Sequence, residues 1–201
     1  MITELLPLTK NKLEILKEIY EKGETHLLEI SKNLKTHPYS TKKTLDSLKF
    51  LLTEKQVGKT KSVSLNKNLS SYNQLISLIE EYRLKTKDQN LNLILKNIKN
   101  LFNEENILIC CLFGSYAKQS YNADSDIDLL IVIERKNKEI SKKIDQLSSI
   151  LTKEISPLIL SKEKFKEAVA NKEPAIISLK KPAQRRVIRG SDNLINWLGV
   201  D

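Results

Sequence analysis

Asp126 and Asp128 stand one residue apart at the start of the apolar run Leu129-Leu130-Ile131-Val132, and their type and spacing suit metal-assisted chemistry. In a β-strand alternate side chains share a face. Both carboxylates therefore point one way, while Ile127 and Leu129 point the other. Like charges converging at a strand start repel, and desolvating them is costly. A cation relieves both costs, and hard oxygen ligands with room for phosphate suit Mg²⁺. Two such ions can hold the attacking and leaving oxygens of a phosphoryl displacement.

An anion site is expected just upstream. The apolar run Ile107 to Phe113 leads into Gly114-Ser115, and ten residues then separate Ser115 from Asp126. A strand that turns through Gly-Ser into a helix leaves backbone N–H groups free to meet an anion. Gly114 lets the backbone approach a phosphate, the Ser115 hydroxyl adds a donor, and Lys118, one turn on, adds positive charge.

Taken together, Leu112-Phe113-Gly114-Ser115-Tyr116-Ala117-Lys118 and Ser125-Asp126-Ile127-Asp128-Leu129-Leu130 resemble the signature of the DNA polymerase β-like nucleotidyltransferase superfamily, most closely its minimal nucleotidyltransferase members. The resemblance spans roughly residues 88–190. It implies a phosphate-binding pair at Gly114 and Ser115, metal ligands at Asp126 and Asp128, Mg²⁺ as cofactor and a nucleoside triphosphate as substrate. The acceptor stays open between a protein hydroxyl, a nucleic-acid 3′ end and a small molecule. Where such proteins usually carry Arg-Gly after the alanine, this chain has Lys118 and Gln119; lysine keeps the charge but lacks the planar fork. The resemblance also implies a third catalytic carboxylate on the strand after the next helix, near Glu154 to Leu160. Ser156 holds the first position to inspect, and Glu154, two residues earlier on the same face, is the acid at hand. Such an acid helps to deprotonate the attacking hydroxyl.

The wider composition agrees with a charged substrate. A net charge of +9 favours nucleotides, nucleic acid or an acidic protein as partner. The longest unbroken apolar run, Ile107 to Phe113, is far too short to cross a bilayer. Met1 to Leu8 carry Glu4 and no basic region, so no signal peptide is expected and a cytoplasmic location follows by default. Cys110 and Cys111 are adjacent in an expected strand, point to opposite faces and read as core residues; with only His26 and His37 beside them they make no zinc cluster.

Around this unit the chain divides into an α+β, two-domain arrangement. Leu13, Leu16, Ile19 and Tyr20 mark a first helix ended by Gly23, and Leu27, Ile30 and Leu34 mark a second, stopped by Pro38. A third helix from about Tyr39 carries Leu45, Leu48 and Leu52, and Glu54 to Leu65 alternates about Gly58 as a hairpin. Three helices and a basic hairpin over residues 1–67 resemble a winged helix-turn-helix, which implies DNA as a partner. Ser40, Thr41 and Lys43 on the third helix and Lys59 and Lys61 on the wing are the candidates to reach bases or phosphates. Residues 68–87 read as a helical linker that doubles as a connector or a homodimer helix, and 88–201 as a nucleotidyltransferase-like domain with a small mixed sheet flanked by helices.

Two rivals accompany the enzyme reading. One is a DNA-binding regulator carrying a catalytically degenerate domain. The other is an antitoxin-like protein paired with a helical toxin, which the resemblance to minimal nucleotidyltransferases implies.

Overall fold

The structure is a computed structural model, described for residues 8–58, 60–104, 106–135 and 139–199. The chain divides into two units, residues 1–82 and 83–201.

The first unit opens with helix α1 (Lys10–Lys22). The Thr9 hydroxyl caps its N-terminus, and Gly23 ends it. Strand β1 (Glu24–His26), helix α2 (Leu27–Asn33) and helix α3 (Pro38–Ser47) follow. Pro38 does not stop α2, as the sequence suggests. It opens α3 at the first helical position, where its missing N–H costs nothing. Helix α3 also ends before Leu48 and Leu52. A 3-10 turn over Lys49–Leu51 buries Leu51, and Leu52 begins strand β2 (Leu52–Val57) opposite Leu65 of β3 (Thr60–Leu65). Strand β1 joins β3 on its other edge, so the sheet runs β1-β3-β2, antiparallel throughout. With three residues, β1 is too short to show a period.

Helix α4 (Tyr72–Arg83) falls where a linker was expected. It buries Leu75, Ile76 and Ile79. Tyr20 Oη donates to Glu80 Oε1 at 2.8 Å and Tyr82 Oη to Glu14 Oε1 at 2.7 Å, tying it to α1 of the first unit. Burial and the Glu14 carboxylate push the Tyr82 phenol up to about 12.

The second unit is a sheet covered on both faces. Helix α5 (Gln89–Leu101) precedes strand β4 (Ile107–Leu112), the short helix α6 (Gly114–Lys118) and strand β5 (Ile127–Ile133). Helix α7 (Glu139–Leu151) and strand β6 (Ile155–Ser161) follow, then helices α8 (Lys162–Ala170) and α9 (Pro174–Ser178), strand β7 (Arg186–Arg189) and helix α10 (Ser191–Leu198). The strand order is β6-β5-β4-β7, with β5 and β6 parallel and the other pairs antiparallel. Ile127, Leu129 and Ile131 enter one core with Leu91, Ile94 and Ile98 of α5 and Ile140 and Leu147 of α7. Leu130 and Val132 enter the other with Phe165, Ile176 and Leu194 of α8, α9 and α10. Cys110 belongs to the first core and Cys111 to the second, as strand alternation requires. Among the described residues no helix is long and apolar enough to cross a membrane.

Candidate active site

The site is built where β4 ends and β5 begins. The Phe113 N–H donates to the Asp128 carbonyl at 3.0 Å, so β4 and β5 stay paired until the chain turns into α6. Gly114 makes that turn at φ +65°, in the left-handed region that glycine tolerates. Its bare Cα also makes room for a neighbour: a Cβ there would stand 1.8 Å from Asp128 Oδ2 and 2.7 Å from Asp128 Cγ. The sequence reading assigns Gly114 to phosphate approach. The structure adds that only glycine lets the Asp128 carboxylate lie against the turn.

Asp128 shares the face of Leu130 and Val132 and is half-buried at the sheet's end, whereas Asp126, one residue before the strand, is exposed. Burial pushes the Asp128 carboxyl up, the Asp126 charge pushes it further, and Lys118 opposes both. Burial and a neighbouring like charge both disfavour the ionised form of Asp128, and a bound cation would offset both. Oxygen-only donors, one seated on a glycine backbone and the other open to solvent, fit Mg²⁺. Ser115 and Lys118 lie on α6, half-buried and exposed respectively.

Glu154 ends up beside the pair rather than within it. Its carbonyl accepts from the Ile127 N–H at 2.9 Å, so its backbone runs alongside Asp126 across the parallel β5–β6 pair. Its side chain is exposed. Ser156 is the register partner of Asp128. Among the described residues no group of three or more His, Cys, Asp or Glu is gathered to hold a metal ion.

One supporting contact lay outside sequence reasoning. Tyr116 of α6 stacks on Tyr121 with ring centroids 4.1 Å apart and an interplanar angle of 13°. Tyr121 Oη donates to Asp88 Oδ2, while Asp88 Oδ1 caps α5 by accepting from the Leu91 N–H at 3.1 Å. These bonds hold the Asp88 carboxyl below its usual range, the Tyr121 bond contributing most. The stretch between the Gly-Ser turn and Asp126 is thereby fastened to α5. Paired tyrosines five residues apart were its one trace in the sequence.

The nucleic-acid candidates separate. Ser40 and Lys43 are exposed on α3, as is Lys61 on β3, where it pairs with Glu54 at 3.3 Å. Lys59 lies outside the described residues. Thr41 is corrected: it is 0% exposed, and its hydroxyl bonds Thr36 Oγ1 at 2.8 Å and the His37 carbonyl at 3.3 Å, so it is core and cannot reach DNA. Tyr39, at the start of α3, is 73% exposed.

No curated protein matches the chain. A solved structure described as the crystal structure of the toxin-antitoxin with AMP-PNP is similar to it, at 18% identity over 54% of this chain and 80% of that chain, with a TM-score of 0.36. Residues 96–181 match the family model described as Polymerase beta, Nucleotidyltransferase, a span that holds β4, the Gly114 turn, both aspartates and β6. Over that segment, which is less than half of the chain, the protein is similar to Polymerase beta nucleotidyltransferases, and it is there that Asp128 lies against the Gly114 turn.

Proposed function

We propose that this chain is a Mg²⁺-dependent enzyme that moves a nucleoside monophosphate from a nucleoside triphosphate to a protein or nucleic-acid acceptor, and that its first unit is a DNA-binding winged helix. The observation that carries the enzymatic half is the seating of Asp128 against Gly114 with Asp126 close enough to raise its pKa. In this reading Asp126 and Asp128 hold the metal, which when bound supplies neutralisation of the triphosphate charge. The Gly114–Ser115 backbone and the Ser115 hydroxyl orient phosphate oxygens, and Lys118 adds charge beside them. The acceptor oxygen forms a bond to the α-phosphorus as the bond to pyrophosphate breaks. Glu154 is the acid available to take the acceptor's proton. Positioning and charge neutralisation supply most of the rate.

The test is label transfer. The protein is incubated with Mg²⁺ and each α-labelled nucleoside triphosphate, with itself, DNA, transfer RNA and any co-purifying helical protein as acceptors. Transfer that disappears in Asp126→Asn/Asp128→Asn supports the reading and identifies the acceptor. Transfer that survives the double substitution removes these aspartates from the chemistry.

A second reading has its own observation. Ser156, not an acid, is the register partner of Asp128, which favours a DNA-binding regulator whose nucleotidyltransferase domain binds a nucleotide without turning it over. Salt-dependent duplex binding indifferent to Asp126→Asn, with no transfer to any acceptor, would select it.

A further inference from the structure

The basic segment Lys180 to Arg189 contains the turn that packs against α6 and the strand that pairs with β4. Strand β7 pairs antiparallel with β4, with Leu112 opposite Arg186. Just before that strand, the 3-10 turn Pro182–Gln184 packs against α6, the helix that opens at Gly114. On its approach the chain leaves the core at Leu179, which is buried with Leu130 and Val132 on the Asp128 face of the sheet.

This turn is built rather than loose. Lys181 N–H donates to the Ser178 carbonyl at 3.2 Å, Gln184 N–H to Lys181 at 3.0 Å and Arg185 N–H to Pro182 at 3.1 Å. Two buried guanidiniums hold it from inside. Arg185, 0% exposed, donates from Nη1 to the Leu179 carbonyl, and Arg83, 1% exposed, donates from Nη2 to the Pro182 and Arg185 carbonyls at 2.5 and 3.0 Å. A backbone fixed in this way presents Lys180 and Lys181 at reduced entropic cost. Lys180 is half-exposed and Lys181 exposed, and neither forms an ion pair with a carboxylate among the described residues. Lys118, on the helix against which this turn packs, adds positive charge felt by Asp128.

We propose that Lys180 and Lys181 form an anion-binding wall of the nucleotide site that holds the polyphosphate tail of the triphosphate. The inference rests on the nucleotidyltransferase reading, and it assigns the basic segment a part in nucleotide binding. A polyphosphate is more negative than a lone aspartate pair with its cation can balance, and lysines carried on a fixed backbone meet that excess.

Calorimetry on the full chain tests it with three probes: Mg²⁺-ATP, inorganic tripolyphosphate and AMP. Lys180→Ala/Lys181→Ala is expected to weaken Mg²⁺-ATP and tripolyphosphate by about tenfold, the size of a lost hydrogen bond to a charged group, and to leave AMP unchanged. Lys181→Glu, at an exposed position, should do the same, and neither variant should lower the melting temperature. Unchanged affinity for Mg²⁺-ATP and tripolyphosphate overturns the proposal. So does a variant that loses only transfer to the acceptor, since the lysines would then serve the acceptor's phosphate. Asp126→Asn/Asp128→Asn separates the two readings. Lysine-dependent tripolyphosphate binding that persists without Mg²⁺ in that protein supports the wall independently of the aspartates. If the wild type binds tripolyphosphate but not Mg²⁺-ATP, the enzymatic reading falls while the wall stands; if it binds neither, both fall.

Discussion

Gly114 and Asp128 occupy space that no side chain on the first could share, because an added Cβ would overlap the Asp128 carboxylate at 1.8 Å. Gly114→Ala must therefore displace Asp128 as well as hold alanine at φ +65°. We expect about 1–3 kcal/mol of destabilisation and loss of transfer by roughly a hundredfold or more, since misplacing a reacting group by an ångström costs that much. Urea unfolding and label transfer measure the two effects; full activity in Gly114→Ala would show that the contact is dispensable.

Asp128 stands in an environment that disfavours its charge. Its folded pKa is raised by burial first and by Asp126 second. Ionised Asp128 therefore costs stability at neutral pH, a cost absent below the ordinary carboxylate pKa, where both folded and unfolded forms are protonated. Asp128→Asn should melt higher than wild type at pH 7 without Mg²⁺, by less than about 1 kcal/mol because the group is partly solvated. The gap should close as pH falls into the acid range. Added Mg²⁺ should stabilise wild type alone. A lower melting temperature for Asp128→Asn at pH 7 would contradict the electrostatic account.

Tyr121 and Asp88 make the opposite case. The Asp88 carboxyl is lowered, chiefly by the Tyr121 hydroxyl and then by the Leu91 N–H. Its stabilising bonds are present above the usual carboxylate pKa and lost as pH falls through the lowered value. Tyr121→Phe should destabilise by about 1 kcal/mol at pH 7 and by less in acid. Thermal unfolding across pH reads this directly, and an effect independent of pH would point to packing instead.

Glu154 is the acid nearest in register to the carboxylate pair. If it takes the acceptor's proton, Glu154→Gln should lower transfer by about 10²–10⁴-fold while Mg²⁺-nucleotide affinity stays within about twofold. Unchanged turnover would remove Glu154 from the mechanism and leave the acceptor to lose its proton to solvent.

For the first unit, exposed Lys43 is the residue to change. Lys43→Ala should weaken duplex binding across sequences and reduce the salt slope by about one. Thr41→Ala serves as the contrast: it should lower stability through the buried hydroxyl bonds to Thr36 and His37 without altering the salt slope. A duplex affinity indifferent to Lys43→Ala would argue that α3 does not face DNA.

The amino-acid sequence by itself determined the local periods and the chemistry they carry. Alternation sent Cys110 and Cys111 to opposite cores, the helical stripe of Leu91, Ile94 and Ile98 faced the sheet, and the Asp-x-Asp spacing set both carboxylates at one strand start. These features depend on neighbours a few residues apart, so backbone geometry alone makes them legible. Tertiary structure decided what depends on distant partners. Thr41 sits among polar, solvent-facing neighbours in sequence but is buried because α3 packs that side inward. Strand β1 exists only because β3 pairs with it across some forty residues. Asp88 meets Tyr121 across some thirty residues, and the Pro182–Gln184 turn meets the Gly-Ser helix because the sheet order β6-β5-β4-β7 brings the last strand back beside β4. Long-range pairing of this kind is set by the packing free energy of the whole sheet, which no local pattern encodes.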